Sequence, residues 1–129
     1  MSVVVEASAV VELLRWSATG RRVHARLVGH DLLAPHLLVT EVLSAFRGLE
    51  LGGYLTPERG LGAVADLLDL PVTLVEVDRL SPQVWALRHN LTAYDATYVA
   101  LARSLGSPLV TTDDRIAAAL GRPEDVIVV

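Results

Sequence analysis

Four acidic residues have neighbours that do not suit an exposed charge: Glu6, Glu41, Asp95 and Asp113. Glu6 follows three valines fit for a buried strand, and Asp113 follows the apolar stretch PLVTT. Glu41 has Leu37 and Leu38 one helical turn before it and Ser44 and Ala45 one turn after, while Asp95 shares a face with Leu91, Tyr98 and Val99. Each has an ordinary use. Glu6 could be a solvated strand end, Glu41 could snorkel from an apolar stripe, Asp95 could complete a capping box with Thr92, and Asp113 could cap a helix.

Together they suggest chemistry. Carboxylates gathered in one pocket repel and raise one another's pKa, so they stay ionised only beside a cation. Ligands that are all oxygen select hard ions, Mg2+ or Mn2+. Such ions orient a water, lower its pKa and stabilise the charge developing on a phosphodiester, with no serine or histidine nucleophile needed. His24, His30, His36 and His89 have no metal-ligand spacing, and the chain has no cysteine, which excludes thiolate catalysis, thiolate zinc sites and disulfides. The missing cysteine favours a reducing compartment, the cytoplasm.

The acids need elements to carry them. Val3 to Val5 suit a strand, with Ser8 as the cap of a helix from Ala9 to Trp16, a turn at Gly20, and a second helix from Arg21 to Val28. Asp31 to Ala34 suit another strand, and Pro35 opens a helix through Glu41 that stops at Gly52 and Gly53. Thr56-Pro57-Glu58 introduces a helix spanning Leu61 to Leu70, Val72 to Val75 form a strand, and Ser81-Pro82 starts a helix towards Arg88. Thr92 begins the helix Ala93 to Leu105, Gly106 ends it, Pro108 to Thr111 form a strand before the segment DDRIAAAL, and Val126 to Val129 the last strand. Strands alternating with helices imply a three-layer α/β/α domain around a parallel sheet of about five strands. In such sheets the functional crevice lies beyond the carboxyl ends of the strands, where Glu6 and Asp113 fall.

Composition sets outer bounds. The 129 residues fit one domain, and 52 % hydrophobic residues with a mean hydropathy of +0.45 is more apolar surface than so small a fold hides, which favours a homodimer or a stable protein partner. The apolar start, broken by Glu6 and Glu12 and lacking a basic lead, resembles neither a signal peptide nor a membrane span, so it should stay in the mature protein. A net charge of −4 argues against a surface that coats nucleic acid by cationic neutralisation, yet leaves open an acidic site reaching phosphate through bound cations. All 11 basic residues are arginine, which a GC-rich codon bias explains; Arg15, Arg21, Arg22 and Arg26 are candidates for a rim that grips RNA or an acidic partner, or form a solvated helix face.

The segments VVVEASAVVELL, LLVTEVLSAF, LRHNLTAYDATYVALA and PLVTTDDR resemble, in this order, the signature blocks of PIN-domain ribonucleases, above all the VapC toxins of bacterial toxin–antitoxin pairs. The similarity spans nearly the whole chain, and the third block is the most specific. It implies a Rossmann-like fold, an endoribonuclease activity dependent on Mg2+ or Mn2+, a homodimer, and a cognate VapB-type antitoxin whose C-terminal segment occludes the site. Matched by position, the family acids fall on Glu6, Glu41, Asp95 and Asp113, with Glu6, Asp95 and Asp113 as metal ligands and Glu41 positioning a water or an ion. Ser8 and Thr111 match supporting hydroxyl residues, and the threonine-any-aspartate pattern prefers Asp113 to its neighbour Asp114.

Glu6 departs from the family, which ordinarily has aspartate there. The additional methylene moves the carboxylate by up to about 1.5 Å, and magnesium tolerates such displacement poorly. Glu6 is therefore expected to weaken or abolish cleavage, as a natural variant or as an engineered change that lets cells survive making a toxin. With aromatics at 5 %, extended stacking on single strands is disfavoured, and a folded RNA fits better, transfer RNA being what the resemblance suggests. The alternatives are an inactive PIN fold kept for binding or regulation, and a receiver-type signalling domain, which needs paired acids after the first strand and a late lysine that this chain lacks. A dinucleotide-binding module is weaker still, because the turn Glu6-Ala7-Ser8 has no glycine.

Overall fold

The computed structural model describes residues 1–129. Its centre is a sheet of five parallel strands: β1 (Ser2–Val5), β2 (Asp31–Pro35), β3 (Val72–Val75), β4 (Leu109–Thr111) and β5 (Val126–Val128), in the order β3-β2-β1-β4-β5. Seven α-helices connect them: α1 (Ala7–Arg15), α2 (Ala18–Leu27), α3 (Leu37–Leu51), α4 (Pro57–Asp69), α5 (Ser81–Ala86), α6 (Ala93–Leu105) and α7 (Asp114–Ala119). The chain first winds from β1 out to β3, then crosses back to β4 and β5. Right-handed crossovers running in opposite directions put α1 to α4 on one face and α5 to α7 on the other, which makes three α/β/α layers. This order differs from the 2-1-3-4-5 order of receiver-type sheets, which removes that alternative.

The central strand shows why its sequence is all valine. Val3, Val4 and Val5 are covered on both faces by helices, so no polar alternation survives. Opposite α1, the helix α6 is buried through seven successive residues, Ala96 to Ala102, and its alanines let it lie close on β1, β2 and β4. Its axis ends at Gly106, whose φ of 62° suits a left-handed helix stop.

Four expectations about local structure are corrected. The first helix starts at Ala7, and its cap is Glu6, whose carboxylate accepts from the Ser8 amide, so Ser8 is inside the helix. Gly20 is no turn: Ser17 caps α2 earlier than expected, and Gly20 lies buried in the first turn of α2 against the Glu12 carbonyl of α1, where no side chain fits. Pro35 ends β2 instead of opening α3. It pairs with Val75 beyond the last rung shared with β1, Val4↔Leu33, so no ladder partner on that side needs its absent N–H. The start read at Thr56-Pro57-Glu58, by contrast, is as expected: Thr56 caps α4 and Pro57 takes its first position, where proline is favoured. Finally, the segment before α5 adds a short 3-10 helix, Asp78–Leu80, and α5 itself stops at Ala86.

Candidate active site

Strand order reverses between β1 and β4, which makes the carboxyl ends of these two strands the topological switch point of the sheet. Glu6 directly follows β1, and Asp113 lies just beyond β4. From one side α3 brings Glu41, and from the other the first turn of α6 brings Asp95. The charges act on one another. Burial raises the pKa of Glu41 above the ordinary carboxylate value, and Glu6 and Asp95 raise it further against the opposing Tyr98 hydrogen bond. Burial likewise raises Asp95, with the charges of Glu6 and Asp113 adding to it and Thr92 and Arg115 opposing. The four predicted acids therefore form one electrostatic cluster assembled from separate parts of the chain.

Glu6 is the hinge of the cluster. It is only 6 % exposed, and both of its carboxylate oxygens are engaged. Oε1 accepts from the hydroxyls of Ser8 and Thr111, each at 2.6 Å, and Oε2 accepts from the Ser8 amide at 2.8 Å. The hydroxyls in turn accept from the backbone beyond β4: Thr112 N–H reaches Ser8 Oγ at 3.0 Å, and Asp113 N–H reaches Thr111 Oγ1 at 2.9 Å. Ser8 and Thr111 thus tie the end of β1 to the loop that aims Asp113. Local chemistry explains the arrangement, since an acid at a helix start satisfies an otherwise orphan amide, and hydroxyls satisfy a carboxylate too buried to be hydrated.

Asp113 faces a cation. Its Oδ1 accepts from the Arg115 amide and Nε, each at 3.0 Å, and its Oδ2 accepts from Nη2 at 2.8 Å. This Arg115 contact holds the Asp113 carboxyl below its ordinary value. Asp114 points elsewhere, in a two-bond pair with Arg122 at 2.6 and 2.9 Å, and exerts only a weak raising effect on Asp113.

Sequence reasoning missed two participants. Tyr98, fully buried on α6, donates from its hydroxyl to Glu41 Oε1 at 2.7 Å; it was read only as an apolar neighbour of Asp95, although a tyrosine on that face always carries a polar tip. Arg115 was overlooked among eleven arginines, and its signal was its place two residues after Asp113. The arginines singled out instead are not at the acids. Arg15 ends α1, remote from Glu6, and pairs with Glu12 at 3.0 Å; Arg21 bonds the Trp16 carbonyl, Arg22 bonds Thr19, and Arg26 is exposed on α2.

The donor set, carboxylate oxygen throughout, suits a hard divalent ion, and the pKa values of Glu41 and Asp95 are raised first by burial and then by the neighbouring carboxylates. As arranged, no three acidic or histidine side chains converge closely enough to hold one ion. Two of these carboxylates are engaged by protein groups: Glu6 is folded onto Ser8 and Thr111, and Asp113 is paired with Arg115. No helix is long and apolar enough to cross a membrane.

Comparison with known proteins agrees with this architecture. Residues 3–121 match the PIN domain family. The chain is 35 % identical to ribonuclease VapC12 of Mycobacterium tuberculosis over 96 % of each protein. In structure it resembles Mycobacterium tuberculosis VapC20, described as a sarcin-ricin loop cleaving toxin, with a TM-score of 0.65 at 20 % identity over 92 % of this chain and 95 % of that one. It also resembles a chain of a toxin-antitoxin complex from Klebsiella pneumoniae, with a TM-score of 0.67 at 16 % identity over 98 % and 97 %. A five-stranded parallel sheet in the order β3-β2-β1-β4-β5, with acids at its switch point and relatives of this kind over almost its full length, places the chain in the PIN-domain family, among its VapC-type members.

Proposed function

We propose that the protein is an endoribonuclease toxin that hydrolyses RNA phosphodiester bonds with the help of Mg2+ or Mn2+. The observation that carries this reading is the gathering of acids at the ends of β1 and β4, where Glu6 and Asp95 act on Glu41, and Glu6 and Asp113 act on Asp95. Glu6, Asp95 and Asp113 would hold the ion, which supplies Lewis acidity and a water of lowered pKa when bound. Glu41, kept in place by Tyr98, orients a water or an ion. The substrate class is folded RNA, transfer RNA first, because few aromatics are available for stacking, and a related toxin acts on a structured loop. The protein acts in the cytoplasm as a homodimer and is neutralised by a cognate VapB-type antitoxin, in line with the toxin-antitoxin complex of similar fold and with the surplus apolar surface.

Activity of this sequence is attenuated by Glu6, whose longer side chain is spent on its own helix and on Thr111. The same observation favours a second reading, a PIN fold retained for binding with little or no turnover. Cleavage of total cellular RNA with Mn2+, with sites mapped, separates them. The nuclease reading expects cuts that EDTA abolishes, that Glu6→Asp strengthens, and that Asp95→Asn removes from the Glu6→Asp background. Retained cleavage in the Asp95→Asn protein overturns the assignment, and no cleavage even with Glu6→Asp leaves the binding protein.

A further inference from the structure

The contact between Arg115 and Asp113 has features of a place-holder. Three donors of Arg115 engage both oxygens of Asp113, two on Oδ1 and one on Oδ2, so a metal ion has to compete with the guanidinium for this carboxylate. Yet the Arg115 side chain is 91 % exposed and has Asp113 as its sole side-chain hydrogen-bonding partner. Nothing packs it in place, and an exposed pair of this kind is weak and screened by salt. The charge of Arg115 also reaches Asp95 and Glu6. The neighbouring Asp114 is engaged by Arg122 and does not compete for Arg115.

We propose that Arg115 is an exchangeable cation and an RNA-binding residue: it caps Asp113 while no divalent ion is bound and, once displaced by the ion, takes a phosphate of the bound RNA. A divalent charge among several carboxylates outcompetes one screened guanidinium. The released fork, tethered two residues from Asp113, then faces the position of the phosphate to be cleaved and matches it with two parallel hydrogen bonds. No covalent step is added. This inference rests on the nuclease reading of the same site.

The test uses the full chain, with Arg115→Ala, Arg115→Lys and Asp95→Asn proteins checked for folding by circular dichroism. Mn2+ binding is measured by calorimetry without RNA, and binding of unfractionated transfer RNA is measured by filter retention over a series of KCl concentrations with Mn2+ present. Removing the competitor in Arg115→Ala should tighten Mn2+ binding roughly two- to five-fold. The same substitution should weaken RNA binding and make its dependence on salt shallower by about one unit of log-log slope. Arg115→Lys should fall between, because a lysine offers one point charge in place of a fork. Unchanged Mn2+ affinity in Arg115→Ala, or an unchanged salt slope, overturns the role of Arg115. If Mn2+ affinity is also indifferent to Asp95→Asn, the metal site itself has failed, and the nuclease reading with it.

Discussion

The buried hydroxyl of Tyr98 donates a 2.7 Å hydrogen bond to Oε1 of Glu41, joining α6 to α3 across the end of the sheet. Glu41 is half-buried and surrounded by other negative charge, so this bond is what opposes the rise of its pKa. Burial and the Glu41 charge raise the phenol in turn, keeping Tyr98 a donor at all ordinary pH values. Tyr98→Phe removes the donor and lets the Glu41 pKa climb further. The acid limb of the pH–rate profile, measured in the Glu6→Asp background, should therefore move to higher pH, and stability should fall by about 1–2 kcal/mol. A profile that stays in place would show that Glu41 ionisation does not matter to turnover.

Glu6→Asp tests whether the longer acid blunts the site. Aspartate is itself a good helix cap, so the bond from the Ser8 amide can survive the change. What the shorter side chain gives up is reach to the hydroxyls of Ser8 and Thr111, leaving carboxylate lone pairs free on the side of Asp95 and Asp113. Mn2+-dependent cleavage should rise at least about ten-fold, equivalent to roughly 1.4 kcal/mol of transition-state stabilisation. Equal rates for the two proteins would mean that Glu6 does the work of an aspartate.

The parallel sheet was legible in the sequence because its signals are local; Glu6 and Asp113 stand out as acids where a strand must end, Glu41 and Asp95 as acids on apolar helix faces. The same locality hid the rest. Ser8 and Glu6 are both able to cap a helix, and only the presence of Thr111 from β4 explains why the longer side chain takes the cap and the hydroxyl turns to it. Gly20 looks like a turn residue in one dimension, whereas its cause is a second helix passing too close for any Cβ. Arg115 stands out in the sequence only by its place two residues after Asp113, and the contact that sets it apart is made by the turn into α7.

Asp95→Asn should stabilise the ion-free protein at neutral pH. Burial and the charges of Glu6 and Asp113 raise the folded-state pKa of Asp95 above its unfolded value, so folding disfavours the ionised form. That penalty is complete above the folded pKa and disappears as pH falls through it towards the unfolded value. In EDTA the variant should melt a few degrees higher at pH 7, with the gain shrinking as pH drops into the carboxylate range. Asp113 works in the opposite sense, stabilising above its unfolded pKa and losing that effect as pH falls through its lowered folded value, in both proteins alike. Excess Mn2+ should reverse the ranking, because the ion binds the folded wild type and lifts its melting point by linkage. A variant that melts lower in EDTA at pH 7 would contradict the crowding of the acids.

Gly20→Ala should be among the most damaging single-methyl changes in the molecule. A Cβ there would lie 1.9 Å from the Glu12 carbonyl oxygen and 2.6 Å from its carbon, and both are backbone atoms that no rotamer can move. Relief requires α2 to lift off α1, or α1 to shift along the sheet, at a cost of about 3 kcal/mol. Since α1 starts at the cap formed by Glu6, a shift of α1 would carry the central acid of the cluster with it. Urea denaturation should show a lower midpoint with an unchanged slope, and Mn2+ affinity of the folded variant should fall together with stability. A loss below about 0.5 kcal/mol, the range of an ordinary surface substitution, would mean that the two helices do not approach as closely as the Gly20–Glu12 contact requires.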